Sequence, residues 1–398
     1  MSDSINRNQL ELIHTYEQTA QAPIEDAHSL PFGVYSDQKV HQLETEHVFG
    51  NEWIFIVSEQ ELYKAGDYFA FTLANEPLVI IRGKDEEMRA LSNLCRHRGT
   101  PLLNEGYGNV TNSIICPYHA WAYSDDGTLK AAPLPGDVSI NKEDHCLPRF
   151  HLESWHGLLF LHLGENPTPL MARLKGLDDY LGYFNLASFK YGYRSSGIER
   201  WHSNWKLALE NAMESYHLFK VHQDTLETVT PTRQAFYIAG CSEWALTGGK
   251  MKDTSSKLMK WFSGSYPEVF ENYVLISLPP SFVGILTHES LAWIQVLPVD
   301  ADNCIVRSAG ISHQKTRWED KSEKSFVEAF FAEDKAICER VQMGMSSTLA
   351  QGGKLVTMER IIADFHQFLG SRLFNTPVSE FYEAPDAQIF LEGSGNET

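Results

Sequence analysis

The sequence lacks any run of Lys or Arg, and its formal net charge is −19, from 33 basic and 52 acidic side chains. A nucleic-acid-binding protein would be expected to carry a basic stripe or patch. Binding to nucleic acid is therefore not expected. The acidic surface favours solubility and, at long range, the approach of cationic ligands or partners.

Long apolar segments are also missing. Runs such as Val79–Ile81 are short, whereas a helix needs about 20 apolar residues to cross a bilayer. The first 16 residues lack the charged start and the apolar core of a secretory signal. We therefore expect no membrane segment and a cytoplasmic location.

Cysteines are few and dispersed along the chain. They are Cys95, Cys116, Cys146, Cys241, Cys304 and Cys338. In a long chain without an export signal, this dispersal indicates reduced thiols in a cytosolic compartment rather than a disulfide framework.

A chain of 398 residues with 43% hydrophobic and 21% charged residues is ordinary for a globular protein, and its length predicts two domains. Between about residues 53 and 164, short β-rich runs alternate with turn signals, which predicts an all-β domain at 46–160. Elsewhere, candidate helices near 203–220 and 321–345 bracket a strand-rich middle. This pattern predicts an α+β domain with an antiparallel sheet, formed by 1–45 and 161–398.

The predicted strands can be given by their bounds. They are Trp53–Val57, Tyr68–Leu73, Leu78–Arg82, Gly157–Leu163, Tyr273–Leu278, Ser281–Leu286, Leu291–Leu297 and Asn303–Ile311.

Two Cys–His pairs stand out within the all-β segment. Cys95 and His97 form a C-x-H pair, and after eighteen residues Cys116 and His119 form a C-x-x-H pair. Thiolates and imidazoles suit both zinc and iron–sulfur centres. Zinc motifs usually place two cysteines in one loop and two histidines on a helix. Pairs that each contain one cysteine and one histidine instead favour a Rieske centre, in which two histidines hold one iron and two cysteines hold the other.

The segments CRHRG and CPYHAWAYSDDGTL, which contain these pairs, resemble the paired cluster loops of Rieske oxygenases. The resemblance includes Trp121, two residues after the last histidine. It implies a [2Fe–2S] cluster in which Cys95 and Cys116 hold the inner iron. His97 and His119 would then hold the outer, solvent-facing iron.

A second constellation lies in Ser203–His222. The apolar residues that recur there at helical spacing are Trp205, Ala208, Leu209, Ala212, Tyr216 and Phe219. His217 and His222 would lie about 140° apart on an undisturbed helix. Both can bind one metal only if the helix ends or bends near Leu218–Lys220.

The motif Glu-Ser-Tyr-His-x4-His that ends this segment resembles the iron motif of Rieske oxygenases. Non-haem Fe(II) oxygenases bind iron with two histidines and one carboxylate and leave positions open. The resemblance therefore implies that His217 and His222 bind a mononuclear Fe(II).

Asp334 is the candidate for the carboxylate ligand. It falls on the apolar stripe of a predicted helix, together with Phe326, Phe330, Ile337, Val341 and Met345. An aspartate in such a seam is costly unless it is paired or metal-bound, so a buried salt bridge is the alternative. The segment 333–344 also resembles the family segment that carries the carboxylate ligand. Asp364 is a weaker rival, and Glu333 and Glu339 fall off the stripe and receive no role.

Glu214 stands three residues before His217. In the family this position holds an acidic residue that links the iron-site histidine to a cluster histidine of a neighbouring subunit. The resemblance implies that Glu214 bonds to His217 and to His119 of the partner subunit, because a ligating imidazole presents its second N–H to a carboxylate. A solvated glutamate on a helix is the alternative.

The resemblance extends through Val274–Asn303 and covers nearly the whole chain. It implies a Rieske domain joined to a helix-grip (START-like) catalytic domain, in a head-to-tail ring that is commonly a homotrimer. An NAD(P)H-dependent reductase, directly or through a ferredoxin, would supply electrons that pass from His119 through Glu214 to His217. O₂ would then serve to mono- or dioxygenate a small organic substrate.

The sequence indicates broad classes of substrate but not an individual compound. Hydroxylation at a carbon attached to N or O would release an aldehyde, which gives net N- or O-demethylation. Glutamate at position 214 and the size of the chain favour quaternary amines such as betaines, or aromatic acids. A ring-hydroxylating dioxygenase with a β subunit stays open. The alternative function is a Rieske electron-transfer protein without mononuclear iron catalysis.

Overall fold

A computed structural model of the chain describes residues 7–252, 267–314 and 321–391. The chain divides into two compact units, one formed by Phe49–Leu170 and the other by Met1–Val48 together with Met171–Thr398. In sequence, the first unit is thus an insertion into the second. Its start lies three residues after the predicted boundary at 46, and its end lies ten residues after the predicted boundary at 160.

The inserted unit is built from strands. They are β1 Ile54–Ser58, β2 Asp67–Leu73, β3 Glu76–Arg82, β4 Met88–Ser92, β5 Gly106–Asn109, β6 Ile114–Ile115, β7 Ala122–Tyr123, β8 Leu129–Ala131, β9 Arg149–Trp155 and β10 Leu158–His162. One sheet has the order β1-β10-β9-β4-β3-β2-β5, and a small sheet has the order β6-β7-β8. Neighbouring strands in both sheets pair antiparallel.

One face of the larger sheet carries the core beneath the Cys–His loops. Tyr68 and Ala70 on β2 and Val79 and Ile81 on β3 alternate along their strands, so that all four point to the same side. They pack in one buried cluster with Cys95, Cys116 and Trp121 of the loops. The loops therefore rest on a packed sheet.

The second unit contains one antiparallel sheet. Its strands are β11 Tyr191–Trp201, β12 Ala235–Gly240, β13 Ala245–Lys250, β14 Asn272–Leu278, β15 Phe282–Leu286, β16 Ser290–Asp300, β17 Asn303–Ser312 and β18 Tyr382–Glu383. Their order in the sheet is β11-β17-β16-β15-β14-β13-β12-β18. The fold class expected from the sequence is confirmed, although β11, β12, β13 and β18 were not foreseen.

The α-helices described are α1 Arg7–Ala20, α2 Gln38–Glu44, α3 Leu170–Arg173, α4 Trp205–Met213, α5 Leu218–Val221, α6 Lys321–Gln342 and α7 Arg360–Phe374. Helix α4 contacts β14 to β17 on one side and also packs against α6 and α7. The helix that leads into the predicted metal motif therefore lies next to the sheet and to the helix that carries Asp334. None of the described helices is long and apolar enough to cross a bilayer.

A buried ion pair ties the amino-terminal segment to α4. Lys206 is fully buried, and its Nζ lies 2.7 and 2.9 Å from the two carboxylate oxygens of Glu44. The indole of Trp205 and the hydroxyl of Tyr16 also donate to Glu44. Burial lowers the pKa of Lys206, and the adjacent Glu44 opposes that effect. Such a cation is tolerated only because its partner is in place.

Candidate metal centres

The two Cys–His loops have the same backbone fold. One starts at Cys95 and the other at Cys116, and each Cys carbonyl accepts from the N–H four residues on, at Gly99 (2.9 Å) or Ala120 (3.1 Å). Gly99 and Ala120 both have left-handed backbones, with φ of 68° and 57°. Glycine adopts this conformation freely, whereas alanine is strained in it. C-x-H and C-x-x-H are therefore two versions of one tight turn.

The four predicted cluster ligands divide by burial. Cys95 and Cys116 are buried, His97 is exposed and His119 is partly exposed. The two imidazole rings are in edge-to-face contact, with centroids 4.7 Å apart. Trp121 stacks on His97 with an interplanar angle of 6°. Two sulfurs on the core side and two imidazoles on the solvent side are the donor arrangement that a Rieske centre requires.

The sulfur atoms lie in an environment that suits thiolates. Burial raises the pKa of Cys116, but the backbone N–H groups of His119 and Tyr118 oppose it, and the net shift is downward. The hydroxyl of Tyr123 lies 3.3 Å from the Cys95 sulfur. Tyr123 was not singled out in the sequence, although it lies within the second loop motif. These donors fit a bound [2Fe–2S] cluster.

The helix that precedes the second histidine pair ends earlier than expected. Helix α4 ends at Met213, and Glu214 has an extended backbone with φ −119° and ψ 166°. The Glu214 carboxylate accepts from the backbone N–H groups of Tyr216 and His217. These amides would otherwise continue the helix. The predicted break near residues 218–220 was therefore placed too late.

The early break changes the orientation of the following side chains. Tyr216 and Phe219, which were expected on the apolar face, are 40% and 47% exposed. The short helix α5 begins just after His217 and ends just before His222. The two histidines therefore flank one helical turn instead of sharing a long helix.

His217, His222 and Asp334 converge, with one possible ligand atom from each lying within 4.8 Å of the others. The Nε2 atom of His222 lies 2.9 Å from Oδ1 of Asp334, and Nε2 of His217 lies 3.6 Å from the same oxygen. Two atoms that bind one ion can be no farther apart than two metal–ligand bonds of about 2.1 Å each. Both separations are below that limit. One divalent ion can therefore contact Asp334 together with either histidine, and the set of donors suits Fe(II).

Asp334 is buried on α6, but the stripe that carries it differs from the predicted one. The buried positions three or four residues from it are Phe330, Phe331 and Cys338, whereas Val341 is 38% exposed. The amide Nδ2 of Asn211 on α4 donates to Oδ1 of Asp334 at 2.7 Å. Asn211 was not foreseen. It faces α6, so the contact depends on the packing of two helices distant in sequence.

The carboxylates around this site raise the pKa values of both histidines. Burial lowers the pKa of His217, but Asp334 and Glu214 outweigh it and raise the pKa to about 10. The pKa of His222 is raised by Asp334 and Glu333 against the same effect of burial. Positive charge between the imidazoles and Asp334 is thus favoured. A divalent cation supplies such charge and releases the protons when it binds.

Each histidine also contacts a glutamate through its other nitrogen. The Nδ1 atom of His217 lies 2.5 Å from Glu214, and Nδ1 of His222 lies 2.7 Å from Glu333. The contact between Glu214 and His217 is one half of the predicted bridge. The other half would join Glu214 to His119 of the partner subunit. Glu333 was given no role. Its position next to Asp334 and the need of a ligating imidazole for a carboxylate partner could have indicated it.

Asp364, the rival ligand, lies outside this group of three. Its carboxylate accepts from the hydroxyl of Tyr237 at 2.7 Å. Burial raises the pKa of Asp364 to about 6, although Tyr237 and Arg360 act to lower it. The structure therefore gives Asp364 the phenol of Tyr237 as its partner.

Replacing Asp364 by asparagine is expected to stabilise the protein more as the pH rises. The folded-state pKa of Asp364 is raised, so the protonated carboxyl favours folding below about pH 4, and this contribution is lost as the pH rises through about 6. Asparagine does not ionise and can still accept from Tyr237. The substitution should raise the free energy of unfolding by about 1–2 kcal/mol more at pH 8 than at pH 5.

Thermal unfolding midpoints of the variant and the unsubstituted protein at both pH values provide the measurement. Asp386→Asn removes the same charge at an exposed position and corrects for the change in net charge. An Asp364→Asn gain that is the same at pH 5 and pH 8 would contradict the prediction.

Two protein families match successive parts of the chain. The Rieske [2Fe-2S] domain matches residues 52–147, which contain both Cys–His loops. The catalytic domain of the ring hydroxylating alpha subunit matches residues 189–374, which contain His217, His222 and Asp334. The second match does not fit the alternative of a pure electron carrier.

Several characterised proteins are similar in sequence. The carnitine monooxygenase oxygenase subunit of Escherichia coli is 29% identical over 361 residues, covering 87% of this chain and 94% of that protein. The glycine betaine monooxygenase oxygenase subunit of Chromohalobacter salexigens is 33% identical over 202 residues, but the match spans only 45% of that protein. The alpha subunit of benzene 1,2-dioxygenase from Pseudomonas putida is 30% identical over 46% of this chain and 42% of its own.

Solved structures extend the likeness to the fold. A quaternary ammonium Rieske monooxygenase involved in carnitine oxidation has a TM-score of 0.78 and 26% identity, covering 89% of this chain and 98% of the other. Naphthalene 1,2-dioxygenase from Rhodococcus sp., at 20% identity, shares the fold with a TM-score of 0.75. The chain therefore belongs to the Rieske non-haem iron oxygenases, as an oxygenase (α) subunit that uses a [2Fe–2S] cluster, a mononuclear iron and O₂.

Proposed function

We propose that this oxygenase hydroxylates a small quaternary ammonium compound of the carnitine or betaine type. The supporting observation is that the likeness to carnitine monooxygenase subunits runs through both units, with 87% of this chain covered. The likeness to the benzene dioxygenase subunit covers 46% of it. The net charge of −19 also favours the approach of a cation.

The proposed reaction inserts one oxygen atom into a C–H bond next to the quaternary nitrogen. The resulting carbinol loses the amine, so the C–N bond breaks and an aldehyde forms. One atom of O₂ stays in the aldehyde, and the other leaves as water. The two electrons needed come from NAD(P)H through a separate reductase, directly or through a ferredoxin.

The residue roles that we propose follow the geometry of the two sites. Cys95, His97, Cys116 and His119 hold the cluster. His217, His222 and Asp334 hold the mononuclear iron, which when bound supplies the centre for O₂ chemistry. Asn211 keeps Asp334 turned toward the histidines through its 2.7 Å contact. The buried Phe330 packs edge-on near His222 and helps to exclude water.

We further propose a homotrimer in which electrons cross between subunits, from His119 of the partner subunit to Glu214. The 2.5 Å contact between Glu214 and His217 supports this route, because a carboxylate fixed on the iron ligand is half of the bridge. A cytoplasmic location belongs to the same proposal.

Product analysis tests the substrate class. The purified chain, with a surrogate reductase, NAD(P)H and ¹⁸O₂, is given L-carnitine, γ-butyrobetaine, glycine betaine and a set of aromatic acids. We expect an amine and an ¹⁸O-labelled aldehyde, trapped before exchange with water, from at least one quaternary ammonium compound. Aromatic hydroxylation or cis-diol formation, with no turnover of any quaternary compound, would overturn the proposal.

A further inference from the structure

We propose that Glu333 is a positioning residue for the mononuclear iron, which it serves by fixing the ring of His222. The inference rests on the proposed function, because it takes His217, His222 and Asp334 as the iron ligands. It assigns a task to a partly exposed glutamate that has no place in the electron route.

The contact between the two residues is short and specific. Oε2 of Glu333 lies 2.7 Å from Nδ1 of His222. His222 is fully buried, whereas the side chain of Glu333 is 33% exposed. The imidazole therefore cannot reach water through this nitrogen, and Glu333 is the acceptor it meets.

Thr225 holds Glu333 in place. Its hydroxyl donates to the same Oε2 atom at 2.7 Å. Its backbone N–H donates to the carbonyl of His222 at 3.1 Å. The turn that follows His222 thus places the Thr225 hydroxyl where it orients the Glu333 carboxylate toward the His222 ring.

Consecutive residues of α6 therefore contact opposite edges of one imidazole. Glu333 faces Nδ1, and Asp334 faces Nε2 at 2.9 Å. An imidazole that donates from Nδ1 keeps the lone pair of Nε2 free for a metal. Glu333 thus selects the tautomer that binds iron and also makes the ligand more basic.

The comparison with Glu214 separates two roles. Glu214 makes the same type of contact with Nδ1 of His217, but it is additionally bonded to backbone amides of its own loop. Glu333 on α6 accepts instead from the hydroxyl of Thr225, which lies in the turn after His222. Loss of Glu333 should weaken iron binding and leave the proposed electron route intact, whereas loss of Glu214 should interrupt that route at His217.

The test measures Fe(II) affinity of the purified full-length protein by competition with a chromogenic chelator. Glu333→Ala should weaken affinity about 10- to 100-fold. Glu333→Gln, which can still accept from Nδ1 but carries no charge, should fall between that variant and the unsubstituted protein. Thr225→Val should give a smaller loss in the same direction. Glu328→Gln, at an exposed position on the same helix, is the matched control.

Two further measurements distinguish positioning from general damage. The visible absorption of the cluster should stay unchanged in every variant, and the ligand-field spectrum of the Co(II)-loaded site should shift in Glu333→Ala. An affinity of Glu333→Ala within threefold of the unsubstituted protein would overturn the inference. If His217→Ala also bound Fe(II) normally, the proposed iron site itself would be wrong, which is a separate failure.

Discussion

Substituting His217 by alanine is expected to remove the mononuclear iron and to leave the [2Fe–2S] cluster in place. Iron content should fall from the three atoms per chain that one cluster and one single ion require to two. Oxygenase activity should fall by about 10³-fold or more, because a metal centre contributes several kcal/mol of catalysis. Only two protein ligands would remain, and Asp334 would lose one of its two imidazole neighbours.

Iron analysis, cluster absorption and product formation measured on the same preparation check this result. His14→Ala serves as a control, because His14 is exposed on α1 and contacts Glu17 and Gln18 of the same helix. Asp334→Ala should behave like His217→Ala. Unchanged iron and activity in the His217 variant would show that the metal site has been assigned to the wrong residues.

Substituting Glu214 by alanine should give the complementary result, in which both metal centres are present but turnover is lost. Glu214 contacts His217 through Nδ1, on the opposite edge of the ring from Asp334. Its removal leaves all three proposed iron ligands. We expect the rate at which the reduced cluster is reoxidised, in the presence of substrate and O₂, to fall by about 100-fold.

A mixing experiment separates transfer between subunits from transfer within one chain. Glu214→Ala subunits keep their clusters, and Cys116→Ser subunits keep their iron sites and their Glu214. Neither variant alone should turn over. In mixed trimers the cluster of a Glu214→Ala subunit can supply the iron of a neighbouring Cys116→Ser subunit. In a random 1:1 mixture about one interface in four has this arrangement, so about a quarter of the activity should return. Recovery of no activity, or normal activity of Glu214→Ala alone, would exclude the bridge.

The sequence was most informative where ligand chemistry requires a fixed spacing. The two Cys–His pairs predicted both loops because each turn brings its sulfur and imidazole together locally, with Gly99 or Ala120 closing the turn. Asp334 stood out because a lone carboxylate among apolar residues on a helix is unusual, and its Oδ1 lies beside both histidines. Even there the details differed, since Val341 is exposed and Cys338 is buried.

Contacts between distant segments were beyond the reach of the sequence. Asn211 and Asp334 are 123 residues apart, and His222 and Glu333 are 111 residues apart. A glutamate on a helix usually has the pattern of a solvated residue, so Glu333 gave no signal of its own. The end of α4 was misplaced because the apolar periodicity continues past Met213, while the Glu214 carboxylate takes the backbone amides that would have extended the helix.

The order of the segments along the chain also matters during synthesis. Glu44 precedes the inserted unit Phe49–Leu170, and its buried partner Lys206 follows it. At about 5–20 residues per second, Lys206 is made roughly 8–30 s after Glu44.

The inserted unit has its own core and can fold during that interval. The segment that carries Glu44 cannot form its buried ion pair until Lys206 has been made. Losing the segment would leave a buried cation without its carboxylate, at a cost of about 3–5 kcal/mol. The segment that precedes the inserted unit is thus fixed only after that unit has been made, and losing it would endanger the iron-binding unit rather than the cluster unit.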